Sequence, residues 1–120
     1  MNAVDRFWRA RSEGDWESLA AQLRPRLRVS LPAQASNPGR DDYLAFLRLV
    51  HQSGRVESVR SITGRSAEIA VIAQLAGPGG ELVVAGFYEL REGLIELIEE
   101  IYVKPGSASD IGSGMVRLRA

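Results

Sequence analysis

Residues 82–103 read LVVAGFYELREGLIELIEEIYV. Two apolar-rich runs, 82–91 and 94–103, meet at Arg91, Glu92 and Gly93. Each run has the two-residue period of a strand, and the short polar junction with glycine reads as a hairpin turn. In the second run Glu96, Ile98, Glu100 and Tyr102 share one side, while Ile95, Leu97, Glu99, Ile101 and Val103 share the other. Apolar side chains therefore occur on both faces. A sheet with this pattern is expected to be covered on both faces, by helices on one side and on the other by a partner such as a second copy of the chain.

Working back along the chain, residues 67–76 are a nearly continuous apolar run, and Gly77-Pro78-Gly79-Gly80 makes another hairpin turn. Val56, Val59 and Ile62 open the strand series, with Thr63-Gly64 read as a turn. The first half is helical. Val4, Phe7, Trp8 and Arg11 recur on one helical face and Gly14 stops the pattern. Asp15 caps a second helix whose stripe is Trp16, Leu19, Ala20 and Leu23, with Pro25 ending it. Leu27, Val29 and Leu31 alternate as a strand, and Pro32 with residues 36–39 forms a loop. A third helix starts near Asp41, with Tyr43, Leu44, Phe46, Leu47 and Val50 apolar, and closes at Ser53-Gly54. Residues 104–114 form a Gly/Ser-rich tail, and 115–119 alternate as a further edge strand. Helices followed by hairpin-linked strands make an α+β domain over residues 1–103, with 104–120 as a tail.

Composition excludes more than it assigns. The 120 residues contain no cysteine and one histidine, so disulfides, thiol nucleophiles and histidine-cluster metal sites are excluded. Fifteen basic and fifteen acidic residues cancel, which argues against nucleic acid as a partner. The charges are unevenly placed: residues 1–65 carry 11 basic and 7 acidic side chains, and 66–120 carry 4 and 8. Opposite charges are expected to meet within the fold or across a dimer. No apolar run has the length of a membrane span and no secretory leader is evident, so a cytoplasmic protein without a membrane partner is expected.

The order of elements resembles the nuclear transport factor 2-like superfamily, in its SnoaL-like or ketosteroid-isomerase-like branch. Val4 to Trp8 followed by Glu13-Gly14-Asp15-Trp16 resembles the opening helices, Gly39 to Leu44 the start of the third helix, Phe87 to Ile95 the hairpin, and Glu99 to Tyr102 the closing strand. The resemblance implies a cone-shaped, curved antiparallel sheet packed against three N-terminal helices (a cystatin-like roll), closed over a pocket and often dimeric through the outer sheet face. It also exposes departures. The steroid-isomerase pattern has its general base where this chain has Leu31, its tyrosine donor where this chain has Phe7, and its second acid where this chain has Gly86. None of these side chains can move a proton or stabilise an enolate, so steroid isomerisation by that route is excluded.

The resemblance turns the Glu100 face into the cone, beside Trp8, Leu31, Phe46, Val84 and Ile98. A carboxylate there would be desolvated, which suits a general acid or base. The alternative is an arginine partner such as Arg9 or Arg48, holding a helix onto the sheet. His51, near the end of the third helix, has a ring suited to proton transfer, or else interacts with the helix terminus. Tyr88 and Tyr102 lie on inward faces, where their hydroxyls could orient a ligand carbonyl or serve the core. The expected catalytic residues are Glu100, His51 and Tyr88. The expected pocket lining is Phe7, Trp8, Leu31, Phe46, Val84, Gly86, Ile98 and Tyr102. Three functions remain open: cofactor-independent acid/base chemistry on an apolar, oxygenated small molecule, binding of such a molecule without turnover, or a homodimeric association module with a filled cone.

Overall fold

A computed structural model of the chain describes residues 2–104. Helix α1 spans Ala3–Glu13, α2 Trp16–Ala20 and α3 Arg40–Gln52. The strands are β1 Leu23–Ser30, β2 Val56–Arg65, β3 Glu68–Ala76, β4 Leu82–Arg91 and β5 Leu94–Val103. They form one curved sheet in the order β1-β5-β4-β3-β2. β2 to β5 pair antiparallel, and β1 joins the edge by running parallel to β5. The sheet is therefore mixed rather than wholly antiparallel, within the expected α+β class.

Local chemistry explains the element ends. Asn2 caps α1 by accepting from the Asp5 amide, and Asp5 returns the bond to the Asn2 amide. Asp15 caps α2 through the amide and hydroxyl of Ser18, which hold its carboxyl below the usual range. The buried face of α1 is Ala3, Val4, Phe7, Trp8, Ala10 and Arg11, which extends the face read from the spacing.

Three boundaries differ from the reading of the sequence. α2 ends at Ala20, so Leu23 and Pro25 belong to β1. β1 is an edge strand whose register slips between Leu23 and Arg28, and such a position tolerates a proline that has no N–H to donate. β2 continues through Thr63-Gly64, and the chain turns instead at Ser66-Ala67, where Ser66 has φ 42°. Gly64 is needed in the strand because a Cβ there would overlap the Glu68 carbonyl and Ile69. Finally, the β4–β5 register shifts between Glu89 and Leu90, so that Glu89 faces Leu97 and Leu90 faces Ile95. This bulge turns Ile95 inward, where it is fully buried, although strict alternation put it on the outer side.

The core lies between the helices and the concave sheet face. Val4, Phe7, Trp8, Leu19, Tyr43, Leu47, Val71, Leu75, Val84, Tyr88 and Ile98 are all buried there. The expected tail and its edge strand at 115–119 lie outside the described residues. No described helix is long and apolar enough to cross a membrane.

Candidate functional site

Glu100 sits on the central part of β5, facing inward, with no exposed surface. Three elements bring donors to it. Tyr43 of α3 and Tyr102 of β5 donate to Oε1 at 2.7 and 2.8 Å. Tyr88 of β4 donates to Oε2 at 2.5 Å, and the Arg11 guanidinium of α1 donates to the same oxygen at 3.2 Å. Both carboxylate oxygens are thus doubly engaged, which saturates their ordinary accepting capacity.

Arg11 is the hub of a larger group. It is completely buried in the last turn of α1. Its Nε donates to Glu57 Oε1 of β2 at 2.8 Å, and one terminal nitrogen donates to the Tyr102 hydroxyl at 2.6 Å. Its guanidinium stacks on the Trp8 ring, 4.3 Å from the centroid. The Trp8 indole N–H donates to the Tyr88 hydroxyl at 3.1 Å, closing the circuit. Burial alone would lower the Arg11 pKa, but Tyr102, Glu100, Glu57 and Tyr43 outweigh it and raise the pKa well above its ordinary value. Burial, with the nearby Glu100 charge, also raises the tyrosine pKa values: Tyr43, Tyr88 and Tyr102 all titrate well above the usual tyrosine range, so their hydroxyls stay protonated and donate.

The expected residues divide as follows. Glu100, Tyr88 and Tyr102 are brought together. Phe7, Trp8, Leu31, Val84, Gly86 and Ile98 are packed in the core around them, and Phe46 stands edge-on to Tyr102 with centroids 5.2 Å apart. Gly86 serves Tyr88: a Cβ there would overlap the Tyr88 hydroxyl and ring, so the missing side chain lets the tyrosine lie along the strand toward Glu100. His51 is not among the Glu100 partners. It stands edge-on to Trp16 at 5.5 Å and covers Gly14, where it packs the end of α3 against the α1–α2 corner. The arginine that pairs with Glu100 is Arg11, not Arg9 or Arg48. Arg9 reaches Glu13 on the surface and Arg48 lies over the Trp16 ring.

Glu57 and the hydroxyl of Tyr43 were not singled out from the sequence. Tyr43 looked like one more apolar position of α3, and Glu57 lies 46 residues from the arginine it meets. Three clefts formed by described residues lie elsewhere. One of about 510 Å³ lies on the outer sheet face beside Phe87, Glu68, Glu89 and Glu99, and two flank α3. None of the three is lined by Glu100.

The sequence matches no protein-family model and no curated protein. Its structure, however, is similar to several solved ones. A candidate ketosteroid isomerase from Kribbella flavida is 23% identical with a TM-score of 0.77, over 85% of this chain and 76% of that one. A protein of unknown function from Burkholderia xenovorans, described as nuclear transport factor 2-like, is 20% identical with a TM-score of 0.75, over 86% and 81%. IdmH, a candidate polyketide cyclase from Streptomyces antibioticus, is 16% identical with a TM-score of 0.71, over 83% and 88%. At these identities the likeness concerns architecture, because this fold carries many unrelated activities. With TM-scores of 0.71 to 0.77 to these neighbours over more than four fifths of its length, the chain has the nuclear transport factor 2-like fold.

Proposed function

We propose that this protein is a homodimeric association module whose cone is filled by its own side chains. The observation that carries this reading is the state of Glu100: it has no exposed surface, and four donors from the same chain occupy its two oxygens. A general acid or base needs a lone pair or proton directed at substrate. Here each such direction is taken by a tyrosine or by Arg11. The neighbouring wall is equally closed, since Phe7, Trp8, Tyr43, Val84 and Ile98 are at most 1% exposed.

The outer sheet face supports the same reading. Ile72, Ala85 and Ile101 lie across three adjacent strands, and Phe87 beside them is 48% exposed. Glu89, Glu99 and Arg65 rim this apolar strip. Contiguous apolar surface within a charged rim is the usual form of a protein contact. Sedimentation velocity at micromolar concentration is expected to give a dimer. Phe87→Glu is expected to give a monomer with unchanged circular dichroism, because the side chain supports no inner contact. A monomeric wild type removes the proposal. Native mass spectrometry supplies a second check, since a small molecule retained by the purified protein would mean that the cone opens and would favour the binding or enzymatic reading instead.

A further inference from the structure

The outer sheet face carries a charge that its own neighbours leave unanswered. Glu68, Glu89 and Glu99 are exposed there around Phe87, and no ion pair joins their carboxylates to a described residue. Glu68 stands directly opposite Glu89 in the β3–β4 ladder, where like charges repel. These acids line the outer cleft of about 510 Å³, with Arg65 as the one basic residue among the described lining and Ala70, Phe87 and Leu97 as its apolar part. Phe87 is about half exposed, so a partner has both room and access. The sheet edges and the other two clefts differ. β1 carries Arg24, Arg26 and Arg28 along one edge, and Arg55, Arg60 and Arg65 lie in or just before β2 along the other. The single acid of β2, Glu57, is taken by Arg11. Of the clefts flanking α3, one sets Arg48 against Asp41, and the other has only Pro25 as an apolar side chain.

A segment with arginines, no acid and apolar side chains between them fits the outer cleft and is repelled by both edges. Residues 115–119, Met115-Val116-Arg117-Leu118-Arg119, have that chemistry. They also have the reach. β5 ends at Val103, four positions past Glu99, which is about 13 Å along the strand, and β3 lies two strands away, about 10 Å. Ten residues, 105–114, come between Lys104 and Met115, and these can span up to about 33 Å. We propose that residues 115–119 occupy the outer cleft of their own chain, Val116 and Leu118 against its apolar part and Arg117 and Arg119 against the three glutamates. The contact does not rest on the dimer, and it leaves Ile72, Ala85 and Ile101 to a second copy.

The chain has no cysteine, so Ala120→Cys gives a single place for a nitroxide label beside Arg119. The label suppresses the NMR signals of nearby amides. In the full-length, isotope-labelled chain, loss of the Ala70, Phe87 and Leu97 signals is expected, with those of Leu44 and Leu49 on α3 retained. No loss at the outer cleft, or an equal loss at both places, overturns the proposal. Arg117→Glu with Arg119→Glu in the same labelled chain is expected to restore the three signals, because acids then meet acids. Signals that stay lost overturn the proposal as well. None of these substitutions alters a residue of the described core. A mixture of spin-labelled chains with isotope-labelled chains that carry no nitroxide separates the copies. A loss in the mixture as deep as in the doubly labelled chain assigns the segment to a partner and overturns the proposal, while a shallower loss or none upholds contact within one chain.

Discussion

Arg11 is a charged side chain on a helical face that is otherwise Val4, Phe7 and Trp8, and the structure shows why it is tolerated there. Two carboxylates, a tyrosine hydroxyl and the Trp8 ring occupy its donors and its flat face. Breaking a buried ion pair by removing one partner costs about 3–5 kcal/mol, because the other charge stays behind. Arg11→Ala leaves two such charges, Glu57 and Glu100. Urea unfolding is expected to show a loss at or above that range, and Glu57→Gln in the same chain is expected to recover part of it. Independent, additive losses would show that the two residues are not coupled. The anomaly of Arg11 was legible from spacing alone. Its destination was not: the partners lie 46 to 91 residues away, and helical or strand periodicity carries no information about such distances.

Elements were legible wherever apolar spacing alone decides them. α1, α3, β3, β4 and β5 are of this kind, and their faces follow from the 3.6- and two-residue periods. The reading failed where backbone pairing overrides the pattern. Strict alternation points Ile95 outward because it does not contain the bulge, and the spacing of Leu23 continues the α2 stripe because an edge strand with a slipped register has no clean period. Gly86 shows the opposite case, in which a residue without a side chain has a positional role. It pairs with Glu100 across the β4–β5 ladder, and Tyr88 leans over it to reach that carboxylate. Gly86→Ala is expected to displace the ring and to cost about 1–3 kcal/mol, the range for overpacking. Urea unfolding checks the magnitude, and a loss of near-ultraviolet circular dichroism checks that the tyrosine has moved. An unchanged midpoint would mean that the ring relaxes freely, against the tight packing described above.

At the scale of the molecule, the chain has three tyrosines, and all three donate to one carboxylate from α3, β4 and β5. Their folded pKa values lie well above 10, mainly through burial and the Glu100 charge. An unfolded tyrosine titrates near 10. Below that pH both states keep their protons and the stabilising contribution is complete. Above it the unfolded chain releases protons that the folded chain retains, so stability falls as pH rises toward the folded values. Absorbance of tyrosinate during an alkaline titration is therefore expected to rise in one cooperative step that coincides with unfolding. A separate phase near pH 10 in the folded protein would mean that at least one hydroxyl is open to water. The same long-range construction affects how the protein is made. β1 can pair only with β5, as Leu23 with Ile95, and Arg11 meets Glu100 across 89 positions. During synthesis the first helix and strand must wait, unpaired, until almost the whole sheet has left the ribosome. A ribosome stalled before β5 should thus carry a protease-sensitive nascent chain, and resistance should arise abruptly once residue 100 is free to fold.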